Sequence, residues 1–521
     1  MLGGWEARLA LFGLLVRLVA WALVLSVPLM GVWTASSLAA WWNGPVWAVV
    51  GAGALLFPVL PLAWEAWSAW RGRSAEARRR SKSDFFDDLA AKRREKLRLP
   101  VGDRLLLRTL LLNGLFLGAL LVTYPKPVFA ALAGRGDWML DGVEGDWVPG
   151  ARDALHGAAD RMEWLYDWAN TNPYQEMGEE VKAPPDPSEG GALELTPEPT
   201  PEPTPEPTPT PTPTPGPTPD PTPAPTPPAA PARSWPMEAH PHPLLAAMPS
   251  SARGSIAEVA AYIVAHEPDP MAQVKAMHDF VAGHVAYDFA NLDAGIYPDQ
   301  SAETVFRTGL GVCAGYANLM AALGKAAGVE IVYVTGDSRD DDGGIPGVGH
   351  AWNAAKIEGA WYLMDVTWDA GVRGKSGGYE AKYRTDYLFT PPEIFRLDHL
   401  PDDDGWQLSA APLNRGDFVR QQLLTPAFFA AGLEMLSPDR SQVTVRDGLE
   451  MRLHNRQGWY LLGVWEDKAR GDQGQCETLD QNQRIACALG QPGTYRVRVC
   501  MNRAQYGDFR CVGQVEVNRE N

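Results

Sequence analysis

From Thr196 to Pro228 proline recurs at almost every second position, alternating with Thr, Glu and Ala. Proline lacks an N–H and fixes φ, so this stretch joins neither helix nor sheet and is driven towards polyproline II. At ~3.1 Å per residue it reaches on the order of 100 Å. It reads as a semi-rigid stalk, with a ligand for proline-binding modules as the lesser alternative. Of the chain's 45 prolines, 25 fall between Pro184 and Pro249, which sets the linker at 184–235. What lies on either side must fold separately.

On the N-terminal side three stretches read as membrane helices: Leu9–Trp33, broken only by Arg17 and Ser26; Pro45–Trp64; and Thr109–Tyr124. A hydrocarbon core of roughly 30 Å needs ~20 apolar residues. The first two meet that length, and the third recruits Leu105–Leu107 or Val128–Leu132. A cleaved signal peptide is the rival reading of the first span, because Ala35–Ala40 is rich in small residues. The span is longer than the usual h-region of ~7–15 residues and a second span follows it. Residues 71–108 carry 13 Lys/Arg against 6 Asp/Glu, while Thr34–Asn43 has no basic residue. The positive-inside bias therefore puts the N-terminus and the 71–108 loop in the cytoplasm and everything after Tyr124 outside. Gly150–Asn170, with Leu155, Met162, Leu165 and Trp168 at helical spacing, predicts a juxtamembrane amphipathic helix.

The cysteines agree with that orientation. All five lie at or beyond Cys313, and Cys476, Cys487, Cys500 and Cys511 crowd the last 46 residues, which suits two disulfides in an oxidising compartment. Cys500–Cys511 and Cys476–Cys487 are the expected pairs, although four cysteines allow three connectivities. The net charge of −17 excludes a nucleic-acid partner, since nothing here neutralises phosphates on the scale duplex binding needs.

Beyond the stalk, Ile256–His266, Met271–His284 and Cys313–Ala327 read as helices, the last closed by Gly328. Glu330–Thr335 reads as a strand, and His350–Ile357 and Ala360–Thr367 as a hairpin about Glu358-Gly359. From Val443 onward short alternating segments predict a small β-sandwich. Chemistry converges on three residues. Cys313 follows a glycine-bearing turn and opens a helix, where orphan N–H groups and the helix dipole favour thiolate. In the hairpin register Ile357 pairs with Ala360, so His350 and Asp365 share a face as diagonal neighbours roughly 7–8 Å apart. Thiol, base and orienting acid are the parts of a nucleophilic site. Asp337, Asp340, Asp341 and Asp342 read as a solvated loop, without the glycine and closing glutamate of a calcium loop. No HExxH or paired CxxC occurs, so neither a metal nor a cofactor is expected.

Three blocks, Gly311-Val-Cys-Ala-Gly-Tyr-Ala, Gly349-His-Ala-Trp-Asn and Trp361-Tyr-Leu-Met-Asp-Val-Thr-Trp-Asp, resemble the transglutaminase-like superfamily of papain-related folds. Tyr387-Leu-Phe, His399-Leu-Pro and Trp406-Gln-Leu resemble the end of that domain in its bacterial and cytokinesis-associated branches. The likeness covers roughly Pro268–Ala411. It implies Cys313 as nucleophile, His350 as general base and acid, and Asp365 as the residue orienting the imidazole. Tyr287, beside the Cys313 backbone N–H, is the oxyanion candidate that it suggests, and Trp352 a candidate for lining the substrate groove.

The expected architecture is a three-span membrane region (1–132), a juxtamembrane helical region (133–183), the Pro/Thr-rich linker (184–235), an α+β transglutaminase-like domain (236–411) and an all-β sandwich-like domain (412–521). The expected activity is thiol acyl transfer on peptide or side-chain amides, with water or an amine as acceptor. The expected substrates are proteins or peptides, those of the cell wall included, met in the periplasm or at the cell surface, and the expected membrane contact is the bilayer around the three helices. A non-catalytic module scaffolding envelope proteins or cell wall is the alternative.

Overall fold

A computed structural model describes residues 3–79, 100–143, 145–169, 172–179, 235–339 and 349–520. The stalk, most of the basic loop and Asp340–Asp342 lie outside these. At the N-terminus, Ala22–Trp41, Val46–Ser74 and Val101–Thr123 are each long and apolar enough to cross a membrane. Helix is the form such runs must take in hydrocarbon, where every backbone polar group has to be satisfied within the segment. Leu29, Trp47, Leu115 and Val122 point outward and exposed, a surface suited to lipid. The third helix takes in Leu105–Leu107. Val128–Leu132 belongs instead to a separate buried helix, Pro125–Arg135, which Pro125 starts at its first turn. The expected single helix at 150–170 is two, Val148–Asp160 and Trp164–Ala169, separated by a tight turn through Arg161–Glu163.

After the stalk, side-chain caps start the helices: Ser255 for Ile256–His266, Asp269 for Pro270–His284, and Ser301 for Ala302–Thr308. The Cys313–Ala327 helix ends at Gly328, whose φ of 76° is the left-handed stop expected of it. It packs on an antiparallel five-stranded sheet made of β1 (Glu330–Ser338), β2 (His350–Ile357), β3 (Ala360–Met364), β4 (Leu388–Thr390) and β5 (His399–Pro401), in the order β4-β3-β2-β1-β5. One sheet face meets the helices through Ala355, Ile357 and Met364 against Met277, Val281, Leu319 and Leu323. The other face is aromatic, with Trp352, Trp361, Tyr387, Phe395 and Trp406.

The β2–β3 turn has the expected register, Ile357 opposite Ala360, and both turn residues have positive φ (Glu358 54°, Gly359 90°). The strand stops sooner than expected. Its last pair is Asn353–Met364, because Asp365 leaves the sheet to cap a short helix, Val366–Ala370, accepting the N–H groups of Thr367 and Trp368. Asp337 is also not in a solvated loop: it lies on β1, fully buried, paired with Arg415.

The C-terminal region holds a six-stranded and a four-stranded sheet that share one core, including Met451, Ile485, Val497, Val499 and Val515. Two short helices, Arg415–Arg420 and Pro426–Ala430, flank the first of these strands, Leu423–Leu424, so the region from 412 is not purely β. Disulfides join Cys476 to Cys487 and Cys500 to Cys511; the second pair sits directly across paired strands.

Candidate active site

Cys313 is the first residue of its helix and only 1% exposed. The chain reaches it through a buried turn in which the Val312 N–H donates to Gln300 Oε1 at 2.9 Å. Gly315 has to be glycine here, since a Cβ would stand 2.6 Å from that same oxygen. Nothing in the spacing marks Gln300, which arrives from the segment before the Ala302–Thr308 helix. Cys313 is the free cysteine among the described residues.

His350, the first residue of β2, lies beside Cys313 and presents its Nε2 to Asp365 Oδ2 at 2.7 Å. With that nitrogen taken, Nδ1 is the one left for the thiol. His350 and Asp365 therefore meet, but through a helix cap and not as diagonal neighbours on paired strands. Asp365 Oδ1 is spent on the cap and Oδ2 on imidazoles, so the carboxylate is held from both sides.

The second imidazole is His399, on β5. Its Nε2 meets Asp365 Oδ2 at 3.1 Å and its Nδ1 meets Asp398 Oδ1 at 2.7 Å, while the Tyr387 hydroxyl donates to Asp398 Oδ2. Within the His399-Leu-Pro block the histidine carried no assigned role. Its ring nevertheless extends the row to thiol, imidazole, carboxylate, imidazole, carboxylate. Burial disfavours a charged His350, yet the Asp365 carboxylate and the contact with Cys313 overcome it and raise its pKa to about 10. Burial likewise opposes the charge of Asp365, but His350 and His399 hold it well below the carboxylate range. His399 is raised against its own desolvation by Asp398 and Asp365.

Tyr287 comes to the thiol from a two-residue strand, Ala286–Tyr287, paired in parallel with Leu310–Gly311 just before Cys313. Its ring packs against the buried cluster that contains Cys313; burial and Cys313 raise its pKa, keeping the phenol protonated. Trp352 sits elsewhere. It is buried behind the imidazoles against Phe395 and His399, so it fills the aromatic core and lines no groove. Among the described residues His350, Asp365 and His399 place ligand atoms within 4.8 Å of one another, a set that could hold a metal ion. The hydrogen bonds already named use those same atoms.

Fold and site together define an α+β module in which a buried thiol at a helix start meets an imidazole from the neighbouring sheet and the carboxylate that caps the next short helix. Residues 257–366 match the family model of the transglutaminase-like superfamily, and the chain carries a transglutaminase-like domain. Kyphoscoliosis peptidase of Mus musculus is 30% identical over 185 residues, 34% of this chain and 28% of its own length. The Homo sapiens protein of that name is 27% identical over 204 residues, covering 38% and 31%. Hillarin of Drosophila melanogaster is 27% identical over 150 residues, covering 25% and 18%. The chain thus spans less than a third of the length of these relatives.

Proposed function

We propose that this chain is a membrane-anchored thiol acyltransferase whose transglutaminase-like domain works outside the cytoplasmic membrane on peptide or side-chain amides. The observation that carries the reading is the unbroken row from Cys313 through His350 to Asp365. Thiolate Sγ attacks the amide carbonyl carbon, and the oxyanion is met by the Cys313 N–H and the Tyr287 hydroxyl. The C–N bond breaks as the His350 imidazolium gives its proton to the leaving amine. Water or an amine then attacks the thioester, His350 takes its proton, and Cys313 is released. Asp365 holds the imidazole in the tautomer these steps require, and His399 with Asp398 holds Asp365.

The names of the mammalian relatives favour water as acceptor, hence a peptidase. Paired cysteines in the C-terminal region and the basic 71–108 loop support an oxidising, extracytoplasmic setting. The test is turnover of a peptide-amide library by the full chain. Cys313→Ala and His350→Ala are expected to abolish it, and Asp365→Asn to cost a large factor, ~10⁴ in the analogous serine triad. If all three variants fold and turn over substrate like wild type, the chain is a scaffold.

A further inference from the structure

Cys313 and His350 are 1% and 6% exposed, so no carbonyl carbon can come within the ~3–3.5 Å that attack requires while this arrangement lasts. What covers the thiol is mostly its own domain: Val312 just before the helix, Ala314 and Ala317 on it, and Tyr333 and Ala351 of the sheet. The exceptions are Tyr174 and Met177, which come from the segment between the juxtamembrane helices and the stalk.

We infer that Asn172–Glu179 is a tethered occupant of the peptide groove of this active site, with Tyr174 in the subsite against the thiol. The inference rests on the acyl-transfer reading and names its regulation. Tyr174 is 1% exposed and packs in the same buried cluster as Cys313. Its carbonyl accepts the Tyr333 hydroxyl at 2.8 Å, so ring and backbone are both held. The flanking contacts follow the site closely. Asn318, on the Cys313 helix, donates to the Met177 carbonyl at 2.7 Å and accepts the Glu179 N–H at 3.2 Å. Asn172 Nδ2 donates to the carbonyl of Gly336, the β1 residue paired with His350. The Asn172 side chain also fills the space a Cβ at Gly349, next to His350, would take.

The buried side chain is flanked by the Asn172 side-chain anchor upstream and by bound Met177 and Glu179 main-chain groups downstream, and the segment crosses the site in turns closed by the Gln175 N–H on the Asn172 carbonyl and the Met177 N–H on the Tyr174 carbonyl. The occupant is covalently attached upstream to the membrane helices and downstream to the stalk, so it competes with substrate at a high effective concentration. Withdrawal of the segment opens the thiol, and a peptide carrying an aromatic residue at the same position is the ligand class the vacated subsite fits.

The test is the rate at which iodoacetamide alkylates Cys313 in the full-length protein in detergent, read by mass spectrometry of the Cys313 peptide. Tyr174→Ala is expected to alkylate at least ~10-fold faster than wild type, because an open state populated at no more than ~10% becomes dominant. Excess synthetic Asn-Pro-Tyr-Gln-Glu-Met-Gly-Glu is expected to slow it again. The paired change Asn172→Ala with Gln175→Ala removes the polar anchors to Gly336 and Asp402 without touching the thiol pocket. It is expected to act in the same direction, and it serves if Tyr174→Ala does not fold. Folded variants that alkylate no faster than wild type, or that speed up with no protection by the peptide, overturn the inference. Alkylation requires only access and turnover requires the triad. Faster alkylation with no turnover therefore sinks the catalytic reading alone, and turnover with unchanged alkylation sinks the strap alone.

Discussion

At the scale of single residues, the site is a charge arrangement before it is a catalyst. Two carboxylates, Asp365 and Asp398, face two imidazoles, His350 and His399, and all but the partly exposed Asp398 are buried. His350 is raised to about 10, so its share of stability is complete below its unfolded value of about 6.5 and is lost as pH climbs through 10. Asp365 is depressed, so its share is present above about 3.9 and lost only on strong acidification. Asp365→Asn is therefore expected to lower the unfolding midpoint most near pH 6, with the gap to wild type narrowing towards pH 10. Thermal melts across that range check it, and a gap that stays constant contradicts the assignment. The same variant is expected to bring the His350 pKa down, since burial then acts on it with less opposition, which histidine NMR titration reads directly.

At the scale of elements, the hairpin and the helix before it position everything. Glu358 occupies the first of two positive-φ positions in a two-residue turn where Asn is preferred. Glu358→Asn is expected to stabilise the domain by roughly 0.5–1 kcal/mol, part of the cost of a left-handed non-glycine residue, and chemical denaturation measures it. Behind the site, His278 on the Pro270–His284 helix bridges Asp279 at 2.9 Å and Asp369 at 3.2 Å, so it pins the short helix that Asp365 caps. His278→Ala removes the imidazole between them, leaving Asp279 with Lys275 and Tyr383 and Asp369 with the Tyr387 N–H, and is expected to cost ~1–3 kcal/mol of stability. These elements were legible where local chemistry decides them: Gly328 stops a helix, and Glu358-Gly359 sets a register. Asp365 was legible as a partner of His350 but not as a cap, because side-chain bonding to its own backbone competes with the sheet and no period reveals the winner. His399 stood in a familiar block without a role, and Gln300 and Tyr174 gave no local signal, since tertiary packing alone brings them to the thiol.

At the scale of the whole molecule, three apolar helices, a proline-rich stretch and a buried thiol site form one argument about place. Alkaline phosphatase fused after Leu132 is expected to be active and a fusion within residues 78–96 inactive; the reverse would put the site and both disulfides in the cytoplasm. That places the chemistry without proving it. The central claim is that acyl groups pass through Cys313. Full-length protein and its Tyr174→Ala variant, incubated with peptide amides, quenched in acid and digested, should yield the Cys313 peptide heavier by one acyl group, and Cys313→Ala should neither carry the adduct nor consume substrate. Substrate consumed at an undiminished rate by Cys313→Ala, with no adduct at Cys313 in either parent protein, would contradict the account.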